Sequence, residues 1–494
     1  MLKGNFQMTI CFIGNSFKYE IEAVMKLFLP LVTFDFLFEE TVDEGDVCIV
    51  NRTENENGRT LSVKVRLDGK EEREVVTAEG GFSDKEDEAE LCRMLYRIMQ
   101  RLTGITPAWG CLTGIRPVKK VNKLLDEGLG KDEIFNVLKK QYYVSDEKLE
   151  LAYKTACAQV EPLKALDKRS YSLYISVPFC PSRCSYCSFV SHSIETPNAK
   201  KLLPQYVGKL CEEIELTAKI ARELDLRLDT IYIGGGTPTS FSAEQLEAVM
   251  GAVQKNFDIS KIREYTVEAG RSDTITAKKL EVIRDFGATR ISVNPQTMND
   301  DVLKAIGRRH SAEDVVEAYR MARKLGFTNI NMDTIAGLPT DTPEGFKHTI
   351  ETLCDLDPES ITIHTLTVKR SSNLFMQEER SVDSRIGEMV SYGQKKLLET
   401  GYLPYYLYRQ KNTVDNLENV GFAKEGYECL YNIYIMEEVQ TILAVGAAGS
   451  TKLVNNATGK IERLFNYKFP YEYISRYDKM ILKKDCISEF FNNI

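Results

Sequence analysis

The stretch Tyr174-Ile-Ser-Val-Pro-Phe-Cys-Pro-Ser-Arg-Cys-Ser-Tyr-Cys-Ser-Phe189 joins an apolar, strand-like run to three cysteines, Cys180, Cys184 and Cys187. Three thiolates at this spacing can bind three irons of a 4Fe-4S cluster and leave the fourth iron open. An open iron can bind the amino and carboxylate groups of S-adenosylmethionine (SAM), which is the entry to radical chemistry. A zinc site is the alternative, but zinc ribbons pair two C-x2-C knuckles and this sequence has no second knuckle.

Length and charge narrow the class of protein. The chain has 494 residues, of which 43% are hydrophobic and 28% charged, and a formal net charge of -8. This length predicts two or three domains, and the acidic balance argues against nucleic acid or an anionic membrane as the main partner. We expect a cytoplasmic protein, because there is no apolar signal segment and no run of ~18 apolar residues. The cysteines outside the triplet are then expected to be buried thiols rather than disulfides.

The region before about residue 165 predicts a small α+β unit followed by a helical connector. Strand-like runs occur at 8–13, 33–38, 46–51 and 60–67, and helical apolar spacing occurs at 19–28 and 85–102. The charged or polar segments 39–45, 52–59 and 68–74 are interpreted as loops. The helix-rich segment 119–165 is interpreted as the connector.

From residue 171 onward, short apolar runs alternate with amphipathic stretches of helix length. Strands are predicted at 173–177, 230–233, 264–268, 289–293, 329–335 and 360–366. Helices are predicted between them at 204–224, 243–257, 277–286, 312–326 and 342–356. This alternation indicates a parallel sheet that forms a barrel or partial barrel, in which reactive groups lie at the carboxyl ends of the strands.

Polar residues and glycines are predicted at those strand ends. Gly234-Gly-Gly-Thr-Pro-Thr239 directly follows the second strand, and its glycines let the backbone approach a ligand closely. Glu268 ends the third strand, and Gln296 and Asp333 are expected at or near the ends of the fourth and fifth. Arg308 can bind a carboxylate through its planar fork. A tight turn and ordinary surface polar residues remain the alternatives when each feature is taken alone.

These features resemble those of a known family over about residues 171 to 454. The chain is similar to the oxygen-independent coproporphyrinogen III oxidase family of radical SAM enzymes. The residues that carry the resemblance are Tyr174, Cys180, Cys184, Tyr186, Cys187, Gly234-Gly-Gly-Thr-Pro238, Glu268, Arg290-Ile-Ser-Val-Asn-Pro-Gln296, Arg308-Arg-His310 and Asn331-Met-Asp-Thr-Ile-Ala-Gly-Leu-Pro339. The N-terminal extension and the segments 416–422 and 436–442 resemble the HemZ branch of that family.

The resemblance implies an α/β fold, a radical SAM partial (β/α)6 TIM-like barrel with a small N-terminal α+β domain and a C-terminal extension. The implied domains are an N-terminal α+β domain at 1–118, a helical connector at 119–165, the radical SAM core at 166–400 and a substrate-covering region at 401–494. The implied cofactors are one 4Fe-4S cluster and one or two SAM molecules.

The resemblance also implies roles for individual residues. Cys180, Cys184 and Cys187 are expected to bind the cluster, and Tyr174 and Tyr186 to flank the cluster and adenine as catalytic and cofactor-binding residues. The remaining SAM contacts are expected from Gly235, Gly236, Thr237, Glu268, Gln296, Arg308, Asp333, Thr367 and Ser450.

The implied activity is that of a radical SAM oxidoreductase of the coproporphyrinogen dehydrogenase type. A SAM-derived 5'-deoxyadenosyl radical abstracts hydrogen from a propionate β-carbon, and two such decarboxylations convert coproporphyrinogen III to protoporphyrinogen IX in heme biosynthesis. Expected partners are the tetrapyrrole substrate and a flavodoxin- or ferredoxin-type reductant, and the protein is expected to be a monomer. Candidate cations for the propionates are Arg116, Arg370, Arg409 and Lys411.

Two departures from the family pattern keep other functions open. In family members with established activity, Gly-Cys follows the third cluster cysteine, whereas Cys187-Ser-Phe189 stands here. The related heme chaperones carry an His-Asn-x-x-Tyr-Trp motif, and the corresponding segment 430–435 has neither the histidine nor the tryptophan. The alternatives are a heme-binding or heme-delivery protein, with His364 as the first candidate ligand, and a radical SAM enzyme acting on another tetrapyrrole. The tyrosine run at 402–408 predicts either core packing or porphyrin contact.

Overall fold

The computed structural model describes most of the chain as two compact units. The described residues are 7–42, 44–55, 58–78, 83–189, 191–367, 385–410 and 416–493. The first unit contains the described residues up to Tyr153 together with Arg409, Gln410 and Asn416, and the second contains the other described residues.

The first unit is a five-stranded sheet with two helices packed on its apolar face. Its elements are β1 (Gln7–Ile13), α1 (Lys18–Phe28), β2 (Thr33–Phe38), β3 (Val47–Asn55), β4 (Gly58–Leu67), β5 (Lys70–Ala78), α2 (Asp84–Thr103), α3 (Val118–Asp126) and α4 (Lys131–Tyr142). The strand order is β2-β1-β3-β4-β5, parallel between β1 and its two neighbours and antiparallel beyond. Alternate residues of β1 and β4 and one side of α1 and α2 form its core.

Two segments interpreted as loops in this unit are strands instead. Residues 70–78 form β5, and β3 and β4 extend through most of 52–59. The hairpin from β4 to β5 turns at Asp68 and Gly69, which both have positive φ, so that Leu67 pairs with Lys70. An Asp-Gly pair is a strong signal for this two-residue turn. The charged residues of β5 face other charged groups, as in the 3.0 Å Lys64–Glu71 ion pair, so the segment reads as polar although it is a strand.

The second unit contains the predicted parallel sheet. Six parallel strands follow one another in chain order: β6 (Ser170–Val177), β9 (Arg227–Gly235), β10 (Glu264–Gly270), β11 (Arg290–Val293), β12 (Ile330–Ala336) and β13 (Ser360–Thr365). Between β6 and β9 lies a small pair of two-residue strands, β7 (Phe179–Cys180) and β8 (His192–Ser193). All six predicted strands are present, and the predicted partial (β/α)6 barrel is confirmed.

Helices connect these strands as predicted, with one early start. They are α5 (Asp146–Lys164), which leads from the first unit into the second, and α6 (Pro197–Glu223), α7 (Ala243–Asn256), α8 (Ala277–Asp285), α9 (Asp300–Ala305), α10 (Ala312–Lys324) and α11 (Pro343–Leu356). Short 3-10 turns lie at Pro238–Ser240, Ile259–Lys261 and Ser272–Thr274. The helix predicted to begin at residue 204 begins at Pro197, because Thr196 caps it and a proline suits the first helical position.

The C-terminal region extends the sheet at both edges. Its elements are α12 (Arg385–Glu399), β14 (Leu403–Arg409), β15 (Glu418–Ala423), α13 (Leu430–Glu437), β16 (Thr441–Val445), β17 (Ser450–Asn455), β18 (Lys460–Phe465), α14 (Pro470–Ser475), α15 (Tyr477–Leu482) and α16 (Asp485–Asn492). β15 pairs antiparallel with β13, and β16 pairs parallel with β6. These additions cover the two edges that an incomplete barrel would leave exposed.

Helix α13 lies at the amino ends of the barrel strands. The carboxylate of Glu264, the first residue of β10, accepts the backbone N–H groups of Leu430 and Tyr431 at 2.6 and 3.5 Å. A carboxylate at a helix N-terminus satisfies free N–H groups and complements the helix dipole. Arg290, the first residue of β11, is fully buried and donates from Nη2 to Ser360 Oγ at 3.1 Å. The amino end of the barrel is therefore closed by α13 and buried polar groups.

Two further structural results concern the predicted tyrosine run and membrane association. Tyr405 and Tyr406 of β14 and the preceding Tyr402 are buried, and Tyr402 donates to the carbonyl oxygen of Pro358 at 2.6 Å, so core packing is the observed arrangement. No helix within the described ranges is long and apolar enough to cross a membrane.

Gly421→Ala is expected to destabilise the second unit, because a Cβ at this position in β15 would lie 1.9 Å from Cε1 of Tyr406. Overpacking of this kind costs roughly 1–3 kcal/mol. The measurement is the free energy of unfolding in urea. Gly208→Ala in α6 is the matched control, since no atom lies within 4 Å of its added Cβ and alanine favours a helix. Equal stability of the two variants would contradict the observed packing of β14 on β15.

Candidate functional site

The cysteine loop lies at the carboxyl end of β6 and is fixed by backbone hydrogen bonds. Cys180 is in β7, and its carbonyl oxygen accepts the N–H of Ile194 at 3.0 Å. Ser185 N–H donates to the carbonyl oxygen of Ile306 at 3.1 Å, and Ser182 Oγ donates to that of Gly307 at 3.1 Å. The loop is thus attached to the end of α9 rather than extending into solvent.

The structure brings the three cysteine thiols together. Burial raises the pKa of Cys187 to about 11; a backbone hydrogen bond at Phe189 opposes this, and the neighbouring Cys184 and Cys180 thiols add to it. Burial also raises the pKa of Cys180, and Cys184 adds to this effect. Among the described residues, no three His, Cys, Asp or Glu side chains are arranged around a single ion. A 4Fe-4S cluster requires a different arrangement, because each thiolate binds a different iron.

The glycine block after β9 packs directly against this loop. A Cβ at Gly236 would lie 2.5 Å from the carbonyl oxygen of Phe179 and 3.0 Å from Sγ of Cys180. Gly235 has φ +111°, which favours glycine. Thr237 Oγ1 lies 3.5 Å from Cys180 Sγ. The backbone N–H groups of Gly236 and Thr237 donate at 2.7 Å to the carbonyl oxygens of Val177 in β6 and Phe179 in β7, so these N–H groups position the loop.

Glu268 is the carboxylate next to the glycine block. Burial raises its pKa to about 7, opposed by the hydrogen bond from Tyr232 and increased by the charge of Asp333. Tyr232 Oη donates to Oε1 of Glu268 at 2.6 Å, and a Cβ at Gly234 would lie 3.0 Å from the same carboxyl group. Near neutral pH this group can change its protonation state, and when ionised it accepts hydrogen bonds from hydroxyl or ammonium groups.

Asp333 and Gln296 lie side by side, although Asp333 is not at a strand end as expected. Asp333 is the fourth of seven residues in β12 and its Oδ1 accepts a 2.7 Å hydrogen bond from Asn331. Its Oδ2 lies 4.0 Å from Nε2 of His364. Gln296, after β11, has φ +69° and donates its backbone N–H to the carbonyl oxygen of Asp333 at 2.9 Å. The irregular backbone at Gln296 therefore rests on the strand that carries Asp333.

Arg308 and Tyr186 contact each other beside the cysteine loop. Arg308 Nη1 donates to the carbonyl oxygen of Asn294 at 2.6 Å, and Nη2 donates to Tyr186 Oη at 3.2 Å. Both terminal nitrogens therefore have protein partners, which differs from a fork directed at a ligand carboxylate. Nε of Arg308 and Oδ1 of Asn294 are buried and have no hydrogen-bond partner within the described chain. One donor and one acceptor thus stay unused next to the cysteines.

Tyr174 lies in an aromatic stack inside the barrel. Its ring is 6.2 Å from that of Tyr232 and 6.0 Å from that of Tyr431, and the Tyr232 and Tyr431 rings are 4.5 Å apart. Burial raises the pKa of Tyr174 above its usual range. Thr367 follows β13 and donates to the carbonyl oxygen of Thr365 at 3.4 Å, while Ser450 begins β17, two strands beyond β6.

The candidate propionate partners have varied positions. Arg409 is buried in the first unit, where Nε donates to the carbonyl oxygen of Asn416 at 3.0 Å and Nη1 to that of Leu112. Two of its guanidinium nitrogens thus have backbone partners, and its role as a propionate partner stays a prediction. Arg116 precedes α3. Arg370 and Lys411 lie outside the described residues.

Sequence reasoning missed two residues that contact the site. Tyr232 holds Glu268, and its place two residues before Gly234 on the same strand face was a readable signal. Arg271, one residue after β10, donates to Sγ of Cys184 at 3.8 Å, and its contact could not be read from the sequence because 87 residues separate the two.

Comparison with known proteins agrees with this geometry. The radical SAM superfamily model matches residues 174–353. The oxygen-independent coproporphyrinogen-III oxidase-like protein HemZ of Bacillus subtilis is 41% identical over 387 residues, covering 77% of each chain. Heme chaperone HemW of the same organism is 33% identical, covering 61% of this chain and 77% of that protein. The solved structure of coproporphyrinogen III oxidase HemN from Escherichia coli, a radical SAM enzyme, has a TM-score of 0.50 at 21% identity, covering 66% of this chain and 73% of that one.

The partial barrel, with three cysteines after its first strand, defines a radical SAM protein. The family within that class follows from the identity to HemZ, which covers most of both proteins. The chain belongs to the oxygen-independent coproporphyrinogen III oxidase family, and its branch is that of HemZ. Proteins of the radical SAM class use a 4Fe-4S cluster and SAM. The gathered thiols, the Arg308 Nε without a hydrogen-bond partner among the described residues and the partly buried Glu268 carboxylate fit these two groups.

Cys184→Ala is expected to abolish cluster binding after anaerobic reconstitution, because it removes one of three gathered thiolates. The measurement is iron and sulfide per chain. Cys211→Ala in α6 is the matched control and is expected to keep the wild-type iron content, since the Cys211 thiol donates to the carbonyl oxygen of Ala248 at 3.6 Å, away from the cysteine triplet. Four irons retained in Cys184→Ala would contradict the ligand assignment.

Glu268→Gln is expected to weaken SAM binding roughly ten- to a hundredfold, the loss from charge-assisted hydrogen bonds of about 1.5–3 kcal/mol. In the wild type, affinity is expected to fall as the pH drops below about 7, because the carboxyl must then lose a proton to accept these bonds. The variant should lack this pH dependence. Calorimetric titration on either side of that pH measures both effects, with the exposed Glu244→Gln as control. An identical pH profile in Glu268→Gln would exclude the role.

Proposed function

We propose that this chain catalyses the oxygen-independent oxidative decarboxylation of two propionates of coproporphyrinogen III to vinyl groups, giving protoporphyrinogen IX. The observation that carries this proposal is the 41% identity to HemZ, named as a coproporphyrinogen-III oxidase-like protein, over 77% of each chain. The similar fold of HemN is consistent with it.

The site residues have defined tasks in this proposal. Cys180, Cys184 and Cys187 would hold the cluster through their thiolates. Glu268 and Asp333 would accept hydrogen bonds from the ribose and amine of SAM. Gln296 would lie beside them, where its side-chain amide can donate or accept a hydrogen bond. When bound, the reduced cluster and SAM together supply a radical that can abstract hydrogen from a propionate β-carbon.

The remaining groups of the barrel position and shield the reactants. Tyr232 holds the Glu268 carboxylate at 2.6 Å, and Asn331 holds that of Asp333 at 2.7 Å, so both acceptors are oriented before a ligand arrives. His364 lies 4.0 Å from Asp333 and 28% of its side chain is exposed, so it is available to a substrate in the barrel. Helix α13 closes the barrel at the amino ends of its strands, which would limit access of water from that end.

The proposal includes the cellular setting. A one-electron carrier of the flavodoxin or ferredoxin type would reduce the cluster, and the reaction would take place in the cytoplasm on a tetrapyrrole substrate. The carrier is required because SAM cleavage to a radical consumes one electron that the substrate has not yet released.

Anaerobic incubation with coproporphyrinogen III, SAM and a reductant is expected to give vinyl products and carbon dioxide. Deuterium at the propionate β-carbon is expected to appear in 5'-deoxyadenosine, because hydrogen abstraction precedes loss of the carboxyl group. Mass spectrometry measures both products. Cys184→Ala is the control for background cleavage. Protein that holds cluster and SAM but transfers no deuterium would overturn the decarboxylase proposal.

A heme-delivery function is the second candidate, favoured by the 33% identity to heme chaperone HemW over 77% of that protein. In the segment that corresponds to the chaperone motif, Tyr431, Ile433 and Tyr434 of α13 are buried at the end of the barrel where its strands begin. Their burial disfavours heme contact by these three side chains. Stoichiometric heme binding with a Soret band altered by His364→Ala, together with no turnover, would establish this candidate instead.

A further inference from the structure

Arg271 is a buried cation directed at the cysteine loop. It follows β10 and is only 3% exposed. Its Nη1 donates to Oγ of Ser182 at 2.8 Å, to the carbonyl oxygen of Ser182 at 3.2 Å and to Sγ of Cys184 at 3.8 Å. The last distance lies within the range of an N–H···S hydrogen bond. One guanidinium nitrogen therefore contacts both the backbone of the loop and the central cysteine of the triplet.

Asp273 fixes the orientation of this guanidinium group. Nε and Nη2 of Arg271 donate to Oδ1 and Oδ2 of Asp273 at 2.9 and 2.6 Å, which is a bidentate pair. Burial opposes the charge of Asp273, but the nearby His310 side chain and the hydrogen-bonded Arg271 guanidinium hold its pKa well below the usual range. Nδ1 of the buried His310 lies 3.6 Å from Oδ1 of Asp273. With Nε and Nη2 occupied, only Nη1 is left to point toward Cys184.

An oriented, buried hydrogen-bond donor of this kind can change the reduction potential of a cluster as well as hold the loop in place. Hydrogen bonds to cluster sulfurs are one of the factors that set the potential of an iron–sulfur protein. In a low-dielectric site, an N–H group with its positive end toward sulfur stabilises added negative charge. Asp273 carries the opposite charge, but it lies behind the guanidinium group, so the end facing Cys184 is positive.

We propose that Arg271, oriented by Asp273, is a positioning residue that raises the reduction potential of the cluster through its N–H···S bond to Cys184. The inference rests on the proposed function in one respect, that Cys184 binds an iron of the cluster. It assigns an effect on cluster reduction to a residue that is neither one of the three cysteines nor one of the expected SAM contacts. The oxidised cluster takes up one electron, and Arg271 stabilises the charge that this electron adds.

Arg271→Met is expected to retain the cluster and to lower its equilibrium constant for one-electron reduction about tenfold, a shift of about 59 mV to more negative potential. The measurement is a redox titration with dithionite, followed by the electron paramagnetic resonance (EPR) signal of the reduced cluster. Arg263→Met is the matched control, because Arg263 forms a similar bidentate pair with Asp229 at the amino end of the sheet. An unchanged potential in Arg271→Met would overturn the proposal.

A conservative variant keeps the proposal testable if Arg271→Met does not hold the cluster. Arg271→Lys keeps the charge but loses the fork that Asp273 orients, and a smaller shift in the same direction is expected. Pulsed EPR adds a direct readout: an exchangeable proton coupled to the reduced wild-type cluster should be lost in Arg271→Lys. An unchanged potential and an unchanged proton signal would overturn the proposal.

Failure of this inference differs from failure of the cluster assignment. If the wild type binds no cluster after reconstitution, the ligand role of the three cysteines is wrong, and the role of Arg271 is wrong with it. If the wild type binds a cluster that Cys184→Ala lacks, and neither Arg271 variant shifts its potential, only the role of Arg271 is wrong. A shift confined to the Arg271 variants supports both.

Discussion

The close approach of the glycine turn after β9 to the cysteine loop after β6 is the constraint on which the site depends. β6 and β9 are parallel neighbours, with Val177 opposite Gly235. Past their ends, a Cβ at Gly236 would lie 2.5 Å from the carbonyl oxygen of Phe179 and 3.0 Å from Sγ of Cys180. Glycine permits this contact, and the N–H of Gly236 closes it with a 2.7 Å bond to Val177. The thiols are therefore placed by strand register, not by the loop alone.

Contacts at the amino ends of the barrel strands also position the site. Glu264 holds α13 by its first N–H groups, and Tyr431 of that helix stacks on Tyr232 at 4.5 Å. Tyr232 in turn donates to Glu268 at 2.6 Å. The carboxylates of Glu264 and Glu268, at the two ends of β10, are thus connected through two aromatic rings in contact. The hydrogen bond from Tyr232 orients the Glu268 carboxylate, and the ring stack on α13 positions Tyr232.

Two buried arginines lie beside the cysteines and differ in their hydrogen-bond partners. Arg271 and Arg308 both lie beside the loop and both are buried, but their partners differ. Arg308 donates from its terminal nitrogens to a backbone carbonyl and to Tyr186 and also interacts with the Cys184 thiol. Arg271 is held by a carboxylate and directs Nη1 to Cys184. Two guanidinium groups near thiolates favour the ionised form that binds iron. The sequence displays both arginines, but it does not show that both lie next to the Cys184 thiol.

The sequence by itself determined the six parallel strands, the cysteine triplet and the glycine block, because local periodicity and short spacings encode them. It did not place Asp333 at mid-strand, and the exposed strand β5 was missed although Asp68-Gly69 signals its turn. Only the tertiary structure decided the pairing of β15 and β16 with the barrel edges, the floor formed by α13 and the contact of Arg271 with Cys184. These depend on groups far apart in the chain, and their partners are selected by burial and register, for which a single sequence carries no local signal.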